Sequence, residues 1–261
     1  MLFPFLPVQK PSRQNRHPEA KFRFAAVPLV VFFGGFGSCF LDGHPAEIPS
    51  SEAIHGFIAK LSDEVGEPVP AIEACYAIGN YPVYSSRYDH VTDSHFDEGE
   101  SDLETLFDWI ESEAEGRPLI LAGQSHGGWT AMKAVLHMKR NVDVLNTADP
   151  ISVVNCHAAA FSASTIGHTI LGFTPWDGCT KAPEDLRPDY KKIAAKTGRW
   201  NNFYQTETKF LHSSKIHAAD FNQRLAFDGW SMNPFRGHAW TEGDSRVWDK
   251  LLESAKASLA L

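Results

Sequence analysis

The sequence predicts an α/β fold, a mostly parallel sheet with helices on both faces. Apolar runs of strand length alternate with segments whose apolar residues recur at helical spacing, in the order strand, helix, strand, helix, strand, helix, strand. The first run is continuous rather than alternating, the pattern of a strand buried on both faces of a parallel sheet. Parallel strands joined through helices require right-handed crossovers, which place the helices on both sides of the sheet.

Each element has its own warrant. Residues 1–20 are polar and proline-bearing and are expected to form an N-terminal arm, with residues 21–261 as one domain. Val27–Phe33 reads VPLVVFF and ends at Gly34-Gly35, the first buried strand. Ile54, Phe57, Ile58, Leu61 and Val65 share one helical face, with Ser50 or Ser51 as the cap. Ala71–Ile78 is the second strand. After a loop, Ser101-Asp102-Leu103-Glu104 has the form of a capping box, and Leu103, Leu106, Phe107, Ile110 and Ala114 make the next stripe. Gly116-Arg117-Pro118 stops that helix. Leu119–Ala122 is a strand, His126 to about Met138 a helix, and Val142–Thr147 a strand closed by Asp149-Pro150, since proline disfavours helical geometry in the residue before it. Residues 157–198 break the rhythm and are expected to form a cap or lid insertion over the sheet. Arg199–Gln205 resumes strand character, and Val247, Trp248, Leu251, Leu252, Ala255 and Leu259 form a closing amphipathic helix.

Composition narrows the function classes. A chain of 261 residues with 43% hydrophobic and 21% charged positions can enclose one sizeable core. Lys plus Arg total 24 against 32 for Asp plus Glu, a net charge of -8, so no cationic excess exists to displace counterions and nucleic acid is excluded as an expected partner. No apolar stretch is long enough to predict a transmembrane segment. Met1–Val8 is apolar but carries two prolines, no preceding basic region and no following cleavage pattern; the expectation is a cytoplasmic protein without a Sec leader, with non-classical export left open. Cys39, Cys75, Cys156 and Cys179 show no C-x-x-C spacing and are expected as buried thiols, with a Cys156–Cys179 bridge open only in an oxidising compartment. Asp89–Asp97 mixes histidines and carboxylates but matches no ligand spacing, so it is expected as an acidic solvated loop whose carboxylates favour the following helix N-terminus. Neither metal nor cofactor is expected.

The chemistry-bearing motif is Gly123-Gln124-Ser125-His126-Gly127, which follows the strand Leu119–Ala122 and leads into a helical segment. A G-x-S-x-G turn in that context is a nucleophile elbow: the serine takes positive φ, and side chains two residues before or after it would strike the neighbouring strand and helix. The turn predicts an exposed hydroxyl at the carboxyl end of a central strand, where open α/β sheets bind ligands.

Through LILAGQSHGGWTA, LNTADPIS and RGHAW the chain resembles the α/β-hydrolase superfamily, its lipase and esterase branch in particular, over roughly residues 22–261. The resemblance implies a serine nucleophile, a carboxylate and a histidine base in that chain order, with a backbone oxyanion hole. The chain departs from that pattern in one respect: only about 26 residues precede the first strand, room for one antiparallel edge strand where the superfamily often has two, so a sheet reduced at its N-terminal edge is expected.

Asp149 is the favoured acid, since it ends the strand after the nucleophile strand and Pro150 fixes its backbone; Glu207 competes, and Asp220 follows. Of twelve histidines, His238 stands in a loop, Arg236-Gly237-His238-Ala239-Trp240, directly before the last helix, where the superfamily delivers its base; His212 and His217 are reserves. The expected oxyanion donors are the backbone N–H of His126 and one from Phe33-Gly34-Gly35-Phe36, at Gly35 or Phe36. Phe173, Trp176 and Trp230 are candidates for an acyl pocket, among other aromatics of the insertion and of the segment before His238 that core packing explains equally well. The expected reaction is hydrolysis of a small-molecule or lipid carboxylic ester through an acyl-enzyme. Thioesterase, acyltransferase and amidase chemistry, or a non-catalytic binding protein on the same scaffold, are the alternatives.

Overall fold

The computed structural model describes residues 26–36, 49–77, 83–89, 103–152, 181–207, 211–227 and 236–261. The expected arm at 1–20 lies outside them, as do Cys39, Cys156 and Cys179, most of the Asp89–Asp97 segment, and residues 157–180 of the expected insertion.

A seven-stranded sheet organises the chain. Its strands are β1 (Leu29–Phe36), β2 (Ala71–Ala77), β3 (Val83–Asp89), β4 (Leu119–Gln124), β5 (Val142–Ala148), β6 (Thr197–Tyr204) and β7 (Phe221–Arg224), in spatial order β3-β2-β1-β4-β5-β6-β7. Every neighbouring pair is parallel except β2 with β3, which is antiparallel and forms one edge. The helices are α1 (Pro49–Val65), α2 (Leu103–Glu113), α3 (His126–His137), α4 (Tyr190–Ala195), α5 (Arg236–Gly243) and α6 (Ser245–Leu259).

The apolar runs divide by parity between two cores. Leu29, Val31 and Phe33 of β1 with Leu119 and Leu121 of β4 meet Phe107 and Ile110 of α2 and Met132 and Val135 of α3. Val30, Phe32, Ile120 and Ala122 point the other way, to Ile54, Phe57 and Leu61 of α1 and Trp248, Leu251 and Ala255 of α6. A strand with both parities apolar belongs between two helical layers, which is why continuous runs mark β1 and β4. Among the described residues no helix is long and apolar enough to cross a membrane.

Four differences from the sequence reading have physical causes. β3, VYSSRYD, carries no apolar run because it is an edge strand, held by its ladder to β2. β7 is four residues long and half-buried, too short to show a period. The end of the span expected as an insertion belongs to the main fold: α4 is the crossover into β6, with Ile193 fully buried and Tyr190 edge-on to Trp200 at 5.9 Å. His238 lies on a helix, α5, rather than in a loop.

The candidate active site

Register sets the site. Phe33 pairs with Gly123, Gln124 with Ala148, and Ala148 with Phe203, so β1, β4, β5 and β6 run out at one level. The residues just beyond, Ser125, Asp149 and Gln205, therefore sit side by side along the carboxyl edge. Two backbone bonds carry the ladder one step further, Ser125 N to Ala148 O at 2.9 Å and Asp149 N to Phe203 O at 2.7 Å.

Ser125 turns the chain from β4 into α3 with φ 56 and ψ -127. The close approach demands glycine on both sides: a Cβ at Gly123 would stand 2.3 Å from the Gly127 carbonyl oxygen, and one at Gly127 1.9 Å from that of Phe33. Both values lie far inside van der Waals contact. Asp149 also has positive φ, 47, in a residue type that tolerates the left-handed region better than most. The third described non-glycine residue with positive φ is Ala260, the C-cap of α6, so the other two cases of this uncommon geometry both fall in the site.

The three side chains form one hydrogen-bonded chain. His238 Nε2 is 2.7 Å from Ser125 Oγ, and His238 Nδ1 is 2.7 Å from Asp149 Oδ2. The strand order and this geometry are those that the sequence's resemblance to the α/β-hydrolase superfamily implies. In chain order Ser125 follows the central strand β4, Asp149 follows β5, the strand next to it, and His238 comes last.

Asp149 is fully buried, and its oxygens are matched by donors: Gln205 N at 3.2 Å and Ser213 N at 2.7 Å on Oδ1, Gln205 Nε2 at 2.8 Å on Oδ2 beside the imidazole. A buried carboxylate is tolerable only when paired and hydrogen-bonded in this way. Gln124 holds the other side of the ring's segment, its Nε2 donating to the His238 carbonyl at 3.1 Å. Sequence reasoning singled out neither glutamine; each is adjacent in sequence or in register to a residue it did single out.

Ser125 is itself buried, at 4% exposure, so the expectation of an exposed hydroxyl is corrected. The elbow presents the hydroxyl to the imidazole, 2.7 Å away. His126 is buried and stacks on Trp129 at 4.8 Å, and burial pushes its pKa down to about 4 against the opposing pull of a hydrogen bond to the Ile151 backbone. It is thus a neutral ring at neutral pH.

The competing residues are engaged elsewhere. Glu207 accepts from Phe227 N at 3.0 and 3.1 Å, and Asp220 accepts from Trp200 N at 2.8 Å. His217 is exposed and His212 half-buried. Phe221 and Phe227 pack against the α1/α6 core. The acyl-pocket candidates Phe173, Trp176 and Trp230 lie outside the described residues. Among the described residues no group of three His, Cys, Asp or Glu side chains could hold a metal ion.

No protein-family model matches the sequence, and no curated protein is significantly similar to it. Solved structures resemble it at low identity. Alpha/beta hydrolase domain-containing protein 10 from mouse is 13% identical, with a TM-score of 0.43 over 89% of this chain and 90% of that one. MenH from S. aureus is 12% identical, with a TM-score of 0.46 over 90% of this chain and 96% of that one. The site stands on its own geometry.

Proposed function

We propose that the protein hydrolyses carboxylic esters through an acyl-enzyme formed on Ser125. The observation that carries this reading is the continuous Ser125–His238–Asp149 chain with both links at 2.7 Å. A serine hydroxyl is a poor nucleophile at neutral pH until a base removes its proton during attack. His238 Nε2 is within proton-transfer distance to be that base. Asp149 holds the proton on Nδ1 and stabilises the imidazolium as it forms. The ring then protonates the departing alkoxide, and a water molecule activated by the same nitrogen releases the acid.

The tetrahedral oxyanion requires donors, which we assign to the backbone N–H of His126 and one N–H of Gly35 or Phe36. Two facts support the assignment. The β1–β4 pairing ends at Phe33–Gly123, and the β1–β2 register shifts between Phe33 and Phe36, so this stretch of β1 leaves its β4 ladder beside the elbow. A Cβ at Gly35 would stand 3.0 Å from Ser125 Cβ and 2.6 Å from Gln124 Oε1, so a side chain there would have to shift the Gln124 amide and crowd Ser125. The substrate is a small-molecule or lipid ester, and no step of the scheme calls on a cofactor.

A fluorophosphonate probe tests the reading. It is expected to label the wild type at one site and to leave Ser125→Ala unlabelled; a folded wild type that takes no label at any pH overturns it. Ester, thioester and amide substrates of graded acyl length then separate an esterase from a thioesterase, acyltransferase or amidase with the same triad.

A further inference from the structure

Gln205 stands one residue past β6, fully buried, and every polar atom of its side chain is used. Nε2 donates to Asp149 Oδ2 at 2.8 Å and to the Leu211 carbonyl at 2.8 Å; Oε1 accepts from Glu207 N at 2.8 Å. The amide orientation follows from these partners. Exchanging O and N would set an acceptor against the Asp149 carboxylate and the Leu211 carbonyl, and a donor against the Glu207 N–H. The backbone N–H of the same residue reaches Asp149 Oδ1 at 3.2 Å, so Gln205 grips the carboxylate at both oxygens.

Of the three protein N–H groups on Asp149, only Gln205 Nε2 bonds the oxygen that faces the imidazole. Oδ2 thus carries two partners, Gln205 Nε2 at 2.8 Å and His238 Nδ1 at 2.7 Å. The glutamine also ties Leu211, two residues before Ser213, whose N–H supplies the third bond to the carboxylate. Losing the side-chain amide therefore removes one donor directly and loosens the segment that provides another.

We infer that Gln205 is a positioning residue, locking the Asp149 carboxylate in the rotamer that holds His238 as base. The inference rests on the hydrolase reading above. Gln205 acts through Asp149, to which both its backbone N–H and its side-chain amide bond. A glutamine that merely tied Leu211 to the end of β6 would change stability and leave the proton chemistry alone.

The test uses the full chain. Fluorophosphonate labelling rate is followed against pH for the wild type, Gln205→Met, which keeps size and backbone N–H but not the amide, and Gln205→Glu, which sets a carboxylate against Asp149. In parallel, the downfield proton resonance of the His238–Asp149 hydrogen bond is recorded by NMR, and unfolding midpoints confirm that each variant is folded. Labelling is expected to slow on the order of 10- to 100-fold, the loss typical of a hydrogen bond to a charged group. The pH midpoint moves upward, because a carboxylate stripped of a donor or given a second negative neighbour holds the imidazolium proton more tightly. The downfield resonance shifts or broadens. Folded variants with wild-type rate, midpoint and resonance overturn the inference while leaving the hydrolase intact. A wild type that takes no label overturns the hydrolase reading instead, and the resonance alone then decides whether Gln205 positions Asp149. Should Gln205→Met fail to fold, Gln205→Glu decides in its place.

Discussion

β5 carries an aspartate at each end, and the two do different work. Asp143, near the start of the strand, is about one-third exposed; its Oδ2 accepts from Leu119 N at 2.8 Å and lies 3.9 Å from Arg140 Nη2. Asp220 repeats the arrangement for β6 through Trp200 N. At this end of the sheet a carboxylate takes up one strand N–H, and water is at hand for the rest of its hydration. Asp149, just past the other end, has no exposure at all, and its partners are three N–H groups and an imidazole. The comparison teaches that residue type and strand position do not by themselves tell the two aspartates apart. Burial does, because at Asp149 it forces the protein to supply every partner, and one of those partners is the imidazole proposed above as the base.

The sharpest way to press the comparison is the same conservative change at both ends. Asn matches Asp in size and tolerates the positive φ of position 149. In Asp149→Asn the new NH2 group would meet two donors, Gln205 N and Ser213 N, at the Oδ1 position but only one, Gln205 Nε2, at the Oδ2 position, so it turns to the latter, faces His238 Nδ1 and reverses the ring's tautomer. Nε2 then carries a proton and cannot take one from Ser125. The expected loss in fluorophosphonate labelling rate, or in kcat/KM once a substrate is found, is on the order of 10⁴-fold with the fold retained by circular dichroism. Asp143→Asn is expected to label as wild type. A loss at position 149 of less than tenfold would remove Asp149 from the triad.

Much of this contrast was legible in the sequence, and the reasons are local. The β4–elbow–α3 transition announces itself because glycine is sterically required at 123 and 127. Asp149 is marked by the Asp-Pro break after an apolar strand. His238 is marked by its place before a strongly amphipathic helix, although its own segment, RGHAWTEG, has no apolar periodicity and so concealed helix α5. Gln205 was not legible: as the polar last residue of the span Arg199–Gln205 read as a strand it carries no chemical signature, and only the level ending of β5 and β6 brings it against Asp149. The edge strand β3 was hidden for a related reason, since its pairing with β2 is made by the backbone and leaves no apolar signature in VYSSRYD.

The catalytic end should also respond differently to acid. His126 has its pKa lowered to about 4 in the folded state by burial, against about 6.5 for an unperturbed imidazole. Between those values the unfolded chain binds a proton that the folded chain does not, so stability is full above about pH 6.5 and is lost as pH falls toward 4. At pH 4.5 the loss from this residue is roughly 2 to 3 kcal/mol. Urea unfolding at pH 7 and pH 4.5 is expected to show this difference for the wild type and a smaller one for His126→Gln, whose side chain does not titrate. Equal pH sensitivity in the two proteins would place the acid-labile element elsewhere.

The smallest expected effect belongs to the other end of the sheet. Asp143→Ala removes the acceptor for Leu119 N at the first residue of β4. Because the carboxylate it replaces is partly exposed, water can reach the freed N–H, and the cost is that of one hydrogen bond, about 1 kcal/mol of unfolding free energy measured in urea. Labelling of Ser125 should not change, since Asp143 and Ser125 lie at opposite ends of neighbouring strands. If Asp143→Ala slows labelling as Asp149→Asn does, the two ends are mechanically coupled through β4 and β5, and the division of labour between the aspartates fails. If it leaves labelling unchanged at a stability cost near that of one bond, the two carboxylates differ as their burial says they should.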